Sequence, residues 1–189
     1  TVQLGKLGVQ SIVNSMGVFV SAAFAAVNRI DDFAYIPQQN IAHAMTALMA
    51  QNKGAKKTDR IKAAFRCGMK IELIYGIFIF FVCFFLAHPL MQLFSSDPVV
   101  CKHGVTYLKL ISLMYLFPAA TNGIQGYFRG IGDLKITLIS SFVNMSLRVV
   151  FAAILVFHFS LQIEALPFSY LAGWIGMLVA EVPLLLRKL

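Results

Sequence analysis

Charge is what this chain has little of. Only 13% of its 189 residues are Asp, Glu, Lys or Arg, about half the share found in ordinary soluble domains. Acids are the scarcest, eight against sixteen Lys and Arg. A soluble domain of this size with 59% hydrophobic residues and a mean hydropathy of +0.77 would leave far too much apolar surface in water, so the soluble classes are excluded. Cysteine is nearly absent too. Cys67, Cys83 and Cys101 share no motif spacing, which argues against a disulfide framework and against a metal centre. There is no phosphate loop, zinc-ligand pattern or nucleophile triad, so neither an enzyme nor a cofactor protein is expected. No signal peptide is visible and the first residue is Thr1. Val2 to Val13 reads as the tail of a helix whose beginning is missing, and the sequence is expected to be a fragment.

What is present is a series of apolar segments. The expected fold is all-α, a polytopic integral membrane protein with about five full transmembrane helices plus the end of a sixth. The spans are placed at about 2–15 (partial), 19–49, 71–87, 105–127, 136–159 and 166–186. The first, at about 21 Å of helix, falls short of a hydrocarbon core of about 30 Å. Asn14-Ser15-Met16-Gly17 makes the first turn. Pro37 lies inside the second span and predicts a kink or broken turn near Gln38 and Gln39. Gly54 is placed to cap that span in a left-handed conformation. Thr58 or Asp59 would cap a short amphipathic helix before the third span, whose apolar run Ile77 to Ala87 has no period and is closed by His88-Pro89. Ser95-Ser96-Asp97-Pro98 is a helix start with a side-chain cap and an N-terminal proline.

The spans carry polar lines. Asp32, Gln39, His43 and Thr46 lie at helical steps on one face of the second, preceded by Asp31 and accompanied by Gln38. Ser112, Tyr115, Asn122 and Gln125 do the same on the fourth, and Thr137, Ser141, Asn144 and Arg148 on the fifth. Arg148 sits about 18 Å into its helix, at a depth where a charge faces water or the protein interior. In a chain this apolar, such lines read as the wall of an aqueous path. Bland readings compete: Arg29 pairing with Asp31 or Asp32, Glu72 with nearby lysines, and Glu181 with Arg187, Lys188 or a neighbouring helix. Ala172, Gly176 and Ala180 form a small-residue stripe for close helix packing.

The bases sort by side. Seven lie between Lys53 and Lys70, and with Arg129, Lys135, Arg187 and Lys188 they make eleven on one side, against Lys102 on the other and none in the turn from Ser160 to Ala165. The positive-inside rule makes the loops 53–70 and 129–135 and the C-terminus cytoplasmic, in a plasma (inner) membrane. This distribution also argues against nucleic acid as the partner of a chain with formal charge +8.

The run NRIDDFAYIP followed by QNKGA, the loop end LFSSDP and the connection YFRGIGD together resemble the second lobe of the multidrug and toxic compound extrusion (MATE) family of the MOP superfamily. The resemblance covers essentially the whole chain. It implies a twelve-helix protein of two similar lobes, of which this chain would be helices eight to twelve plus the end of helix seven. It further implies secondary active efflux of small amphipathic or cationic compounds by antiport against Na+ or H+, through alternating access, with membrane lipid and the missing first lobe as partners. One family branch has a cation site with acids in helices seven and ten. The span 105–127 holds no carboxylate and carries Asn122 and Gln125 instead, so the coupling ion stays open. The other readings are a flippase for lipid-linked oligosaccharides, which would want a more cationic cavity than Arg29 and Arg148 provide, and a non-transporting membrane scaffold. The residues expected to contact ion or substrate are Asp31, Asp32, Gln38, Gln39, His43, Thr46, Tyr115, Asn122, Gln125, Asn144 and Arg148, with Tyr35, Met45 and Met49 as apolar surface.

Overall fold

A computed structural model describes residues 2–159 and 161–188. Ser160, where the expected last turn begins, lies outside them, as does Thr1. The fold is all-α. The helices are α1 (Val2–Ser15), α2 (Val18–Gly54), α3 (Thr58–Phe85), α4 (Ala87–Gln92), α5 (Pro98–Ser112), α6 (Leu116–Gly130), α7 (Leu134–Phe157) and α8 (Ala165–Leu186). Three of them, α3, α7 and α8, are long and apolar enough to cross a membrane by length and composition. On α3 the side chains of Ile77, Phe78, Phe81 and Phe85 point outward, as a lipid-facing helix requires.

The chain folds around α2, which touches α1, α3, α4, α5 and α6, while α7 and α8 pack as a pair against α1 and α6. Its 37 residues make a rod of about 55 Å. α2 and α6 run parallel in one register. Tyr115 meets Asp31, 84 positions earlier, and the same offset brings Gly126 to Ala42 and Gly130 to Thr46. Glycine is needed at these rungs, because a Cβ on Gly126 would lie 2.9 Å from the Ala42 carbonyl oxygen. The apolar core forms two clusters. One gathers Phe24, Val27, Ile30, Tyr107 and Ile111, and the other gathers Met45, Met49, Phe65 and Phe128 nearer the basic end.

The two prolines act differently from each other. α2 runs through Pro37 without a broken turn, whereas the stretch 105–127 is divided into α5 and α6. Pro118 has no N–H and its ring crowds the carbonyl four residues back, at Met114. The backbone tightens there into three-residue turns, Met114 N–H to Ile111 O and Tyr115 N–H to Ser112 O. The amphipathic stretch after Thr58 is not a separate helix but the first turns of α3, and Lys57 caps it without a side-chain bond. His88 and Pro89 lie within α4 and do not close α3, which ends at Phe85. Gly54 is the last residue of α2, and the left-handed backbone falls on Lys56, with φ of 56°.

The start of α5 follows the sequence. The Asp97 carboxylate accepts from Val99 N–H at 2.7 Å and Val100 N–H at 3.2 Å, with Pro98 in the first turn. Asp97→Ala should lower unfolding stability by about 0.5–2 kcal/mol, the value of such a cap, and thermal melts of the two forms side by side would check it.

At the basic end three segments are clasped. The Lys53 ammonium donates to the Ile131 carbonyl, Lys188 pairs with Asp133, and the Tyr127 hydroxyl donates to the Lys188 carbonyl at 3.2 Å. The α2–α3 turn, the α6–α7 turn and the end of α8 therefore share one end of the bundle, as the charge alternation requires.

Candidate functional site

A cavity of about 690 Å³ opens among α1, α2, α6, α7 and α8. α2 supplies Asn28, Asp31, Asp32, Tyr35 and Gln39, α6 supplies Pro118 and Asn122, and α7 supplies Met145 and Arg148. Lys6 of α1 and the Tyr170 and Trp174 rings of α8 complete the wall. Asp31 is its anchor. Only 4% of its surface is exposed, and the Tyr115 hydroxyl donates to Oδ1 at 2.5 Å. The Tyr115 ring stands edge-on to Tyr35 with centroids 5.6 Å apart. The break between α5 and α6 is what sets Tyr115 at the head of α6, facing the wall of α2.

Across the cavity the Arg148 guanidinium carbon lies 3.4 Å from the centre of the Tyr170 ring, a cation–π contact. α8 can approach because Gly173 stands opposite Arg148, where a Cβ would fall 2.6 Å from Arg148 Cγ. Arg148 makes no salt bridge: among the described residues the one such pair is Lys188 with Asp133. The same holds for Arg29, whose expected pairing with Asp31 or Asp32 does not form, because Arg29 points outward. The acids of the cavity thus stand on α2 and the bases on α1 and α7, with no ion pair closing the space between them.

A family model named MatE matches residues 1–154. The chain belongs to the MatE family. A probable multidrug resistance protein NorM of Thermotoga maritima is 25% identical over 150 residues, which is 79% of this chain and 31% of that protein. A probable multidrug resistance protein YoeA of Bacillus subtilis is 27% identical over 176 residues, 93% of this chain and 36% of that one. A MATE transporter of the MOP superfamily solved in an outward-facing conformation superposes with a TM-score of 0.92 at 15% identity, over 99% of this chain and 42% of that chain. At that identity the likeness speaks for the fold alone. This MatE chain spans about a third of the length of the curated relatives it matches.

Not every expected residue of the MatE chain reaches the cavity. Asp31, Asp32, Gln39, Asn122 and Arg148 line it and Tyr115 holds Asp31 from behind. His43 points outward on α2. Thr46 instead packs on α6, donating to the Ala42 carbonyl at 2.8 Å and the Gly126 carbonyl at 3.1 Å. Gln125 faces Ser141 and Glu181, each at 3.4 Å, so Glu181 takes the neighbouring-helix option and not Arg187 or Lys188. Asn144 is buried with its amide against Met177 Sδ at 3.1 Å. Gln38 is wholly enclosed. Met45 and Met49 are core residues, packed beside Gly68 and Gly130. Of the expected small-residue stripe Gly176 packs on α7, where a Cβ would fall 2.2 Å from Leu147 Cδ1. A Cβ on Gly173, one position from Ala172, would meet the Asn144 carbonyl oxygen at 2.9 Å. Sequence reasoning missed Lys6, Asn28, Tyr170 and Trp174. A lysine within an apolar segment and the single tryptophan were the signals available.

Proposed function

We propose that this chain is the second lobe of a secondary active multidrug exporter and forms half of the path for an amphipathic organic cation. The observation that carries the reading is the wall of α2, where the buried Asp31 and the more open Asp32 face a cavity floored by aromatic rings. A carboxylate in a poorly hydrated site attracts a monovalent cation strongly, and Phe24, Tyr35 and Trp174 accept the apolar body of such a guest. Exchange follows if the same carboxylates bind the coupling cation, Na+ or H+, when the drug has left, so that the two occupy the lobe in turn. The clasped basic end is the cytoplasmic one, in keeping with the bias of lysine and arginine.

The test is transport by the full-length protein in liposomes loaded with a fluorescent organic cation. Imposed Na+ and proton gradients should differ in effect, one of them driving dye movement several-fold faster than no gradient. Equal rates under all three conditions would end the antiport reading. Lys6 and Arg148 on the opposite walls favour a second reading, an anionic amphiphile as cargo. Competition of dye flux by anionic and not by cationic amphiphiles would move the substrate to that wall.

A further inference from the structure

Glu72 is the one carboxylate of α3 beyond its first turn, and the structure puts it somewhere the cavity does not reach. It is fully buried, with neither carboxylate oxygen partnered, and the expected pairing with nearby lysines does not form. The register around it is fixed by glycines. Gly68, one turn before it, packs on Met45 of α2, and Gly76, one turn after it, packs on Ala119 of α6. Glu72 therefore faces the seam where α2, α3 and α6 meet. Gln38 enters the same seam from α2: its α6 counterpart in the register of 84 is position 122, and Met69 of α3 packs on Gly123. Gln38 is also fully buried, and both its amide atoms lack partners. Thr121 of α6 is the third polar side chain at this level, with its hydroxyl turned back to the Pro118 carbonyl at 3.1 Å. Apolar clusters lie on either side of this level along α2, ending at Ala34 and resuming at Met45.

We propose that Glu72, matched with Gln38 in the α2–α3–α6 seam, is a proton-binding site separate from the cavity. An ionised glutamate offers acceptors only, and leaves the amide oxygen of Gln38 with nothing to accept. A protonated one offers a donor and an acceptor, the complement of a side-chain amide, so the two groups can satisfy each other. The proton resides on one carboxyl oxygen of Glu72, and it leaves to water when the seam opens. No charge in the neighbourhood supports the ionised form. α2 presents Gln38, with His43 turned outward, and α6 presents Thr121, with Arg129 two turns toward the basic end. On α3 itself Lys70 points outward and Tyr75 is half-buried. Lys109 of α5 lies over Phe84, three turns away. A metal cation is a poor occupant, since among the described residues no group of three or more His, Cys, Asp or Glu side chains is placed to hold one.

The site does not depend on the efflux reading and can be tested without it. The full-length protein in lipid nanodiscs would be compared with Glu72→Gln by infrared spectroscopy. The wild type is expected to show the carbonyl stretch of a protonated carboxylic acid at neutral pH, and the variant to lack it. Glu72→Met is the second variant should the glutamine form fail to fold. Melting adds the sign. The native state holds this proton, while the unfolded chain gives it up as an ordinary glutamate does, near about pH 4.3. Stability is lost steadily from there until the native state releases the proton, so wild type should match Glu72→Gln in acid and fall progressively below it through neutral pH into alkali. A spectrum without the acid band at neutral pH, or parallel melting curves throughout, would overturn the site. Loss of drug transport alone would bear on the exporter reading and not on this one.

Discussion

Asp31→Asn in the full-length protein is expected to slow export of a monovalent cationic dye by at least about thirtyfold at low substrate, with expression unchanged. Removing one member of a buried charged contact weakens binding by about 2–5 kcal/mol, and each 1.4 kcal/mol is a factor of about ten. Asp31 meets the condition for the upper part of that range, being enclosed and fixed by the Tyr115 hydroxyl. Asparagine still accepts that hydrogen bond and nearly preserves volume, so charge is the main thing lost. Tyr115→Phe isolates the other component. It keeps the ring against Tyr35 but deletes the donor, and should give an intermediate loss. Asp32→Asn, on the more exposed side of the same wall, should cost less than Asp31→Asn because water screens it. Initial rates against dye concentration for the three variants decide the order, and a wild-type rate in Asp31→Asn would remove this residue from the path.

The second large effect is expected at Gly126→Val. A Cβ there meets the Ala42 carbonyl oxygen at 2.9 Å and the Ala42 Cα at 3.4 Å, which are backbone atoms that cannot rotate away. α6 must then move off α2, and the Thr46 hydroxyl loses the Gly126 carbonyl it now reaches at 3.1 Å. Overpacking costs about 1–3 kcal/mol and the hydrogen bond about 1 kcal/mol. For a chain of this size each kcal/mol lowers Tm by about 2–4 °C, so a fall of several degrees, or failure to accumulate, is the expected result. Gly123→Ala is the contrast. Its Cβ meets only Met69 Sδ at 2.2 Å, the end of a flexible side chain that can swing aside. Equal melting temperatures for the two variants would mean that the contact between α2 and α6 is not the one described.

Much of this fold was legible because membranes impose a simple code. The eleven bases clustered by side gave the sharing of one bundle end by three separate segments, and Ser95 to Pro98 marked the start of α5. The cavity was half legible. Polar residues at helical steps showed which helices carry a wall, but a stripe along one helix does not say which partner each residue meets. Thr46 and Asp32 belong to one stripe, yet the first packs on a carbonyl of α6 and the second on the cavity. Proline was read without its neighbours: α2 absorbs Pro37, and Pro118 coincides with a tightening of the backbone that divides a span. Glu72 looked like a surface charge near lysines because burial depends on where glycines let other helices approach, and that is a property of pairs.

The constant register of 84 between α2 and α6 has a mechanical consequence. Two rungs of it, at Ala42 with Gly126 and Thr46 with Gly130, bring backbone against glycine, and a third joins Asp31 to Tyr115. Rods meshed at three levels cannot slide past each other by a fraction of a turn. They behave as a single lever, with the carboxylate of Asp31 near one end and the lysine clasp at the other. Displacement of the cavity wall is then delivered to the clasp at full amplitude, and a cross-link that ties α2 to α6 without adding atoms at Gly126 or Gly130 should leave the stroke intact.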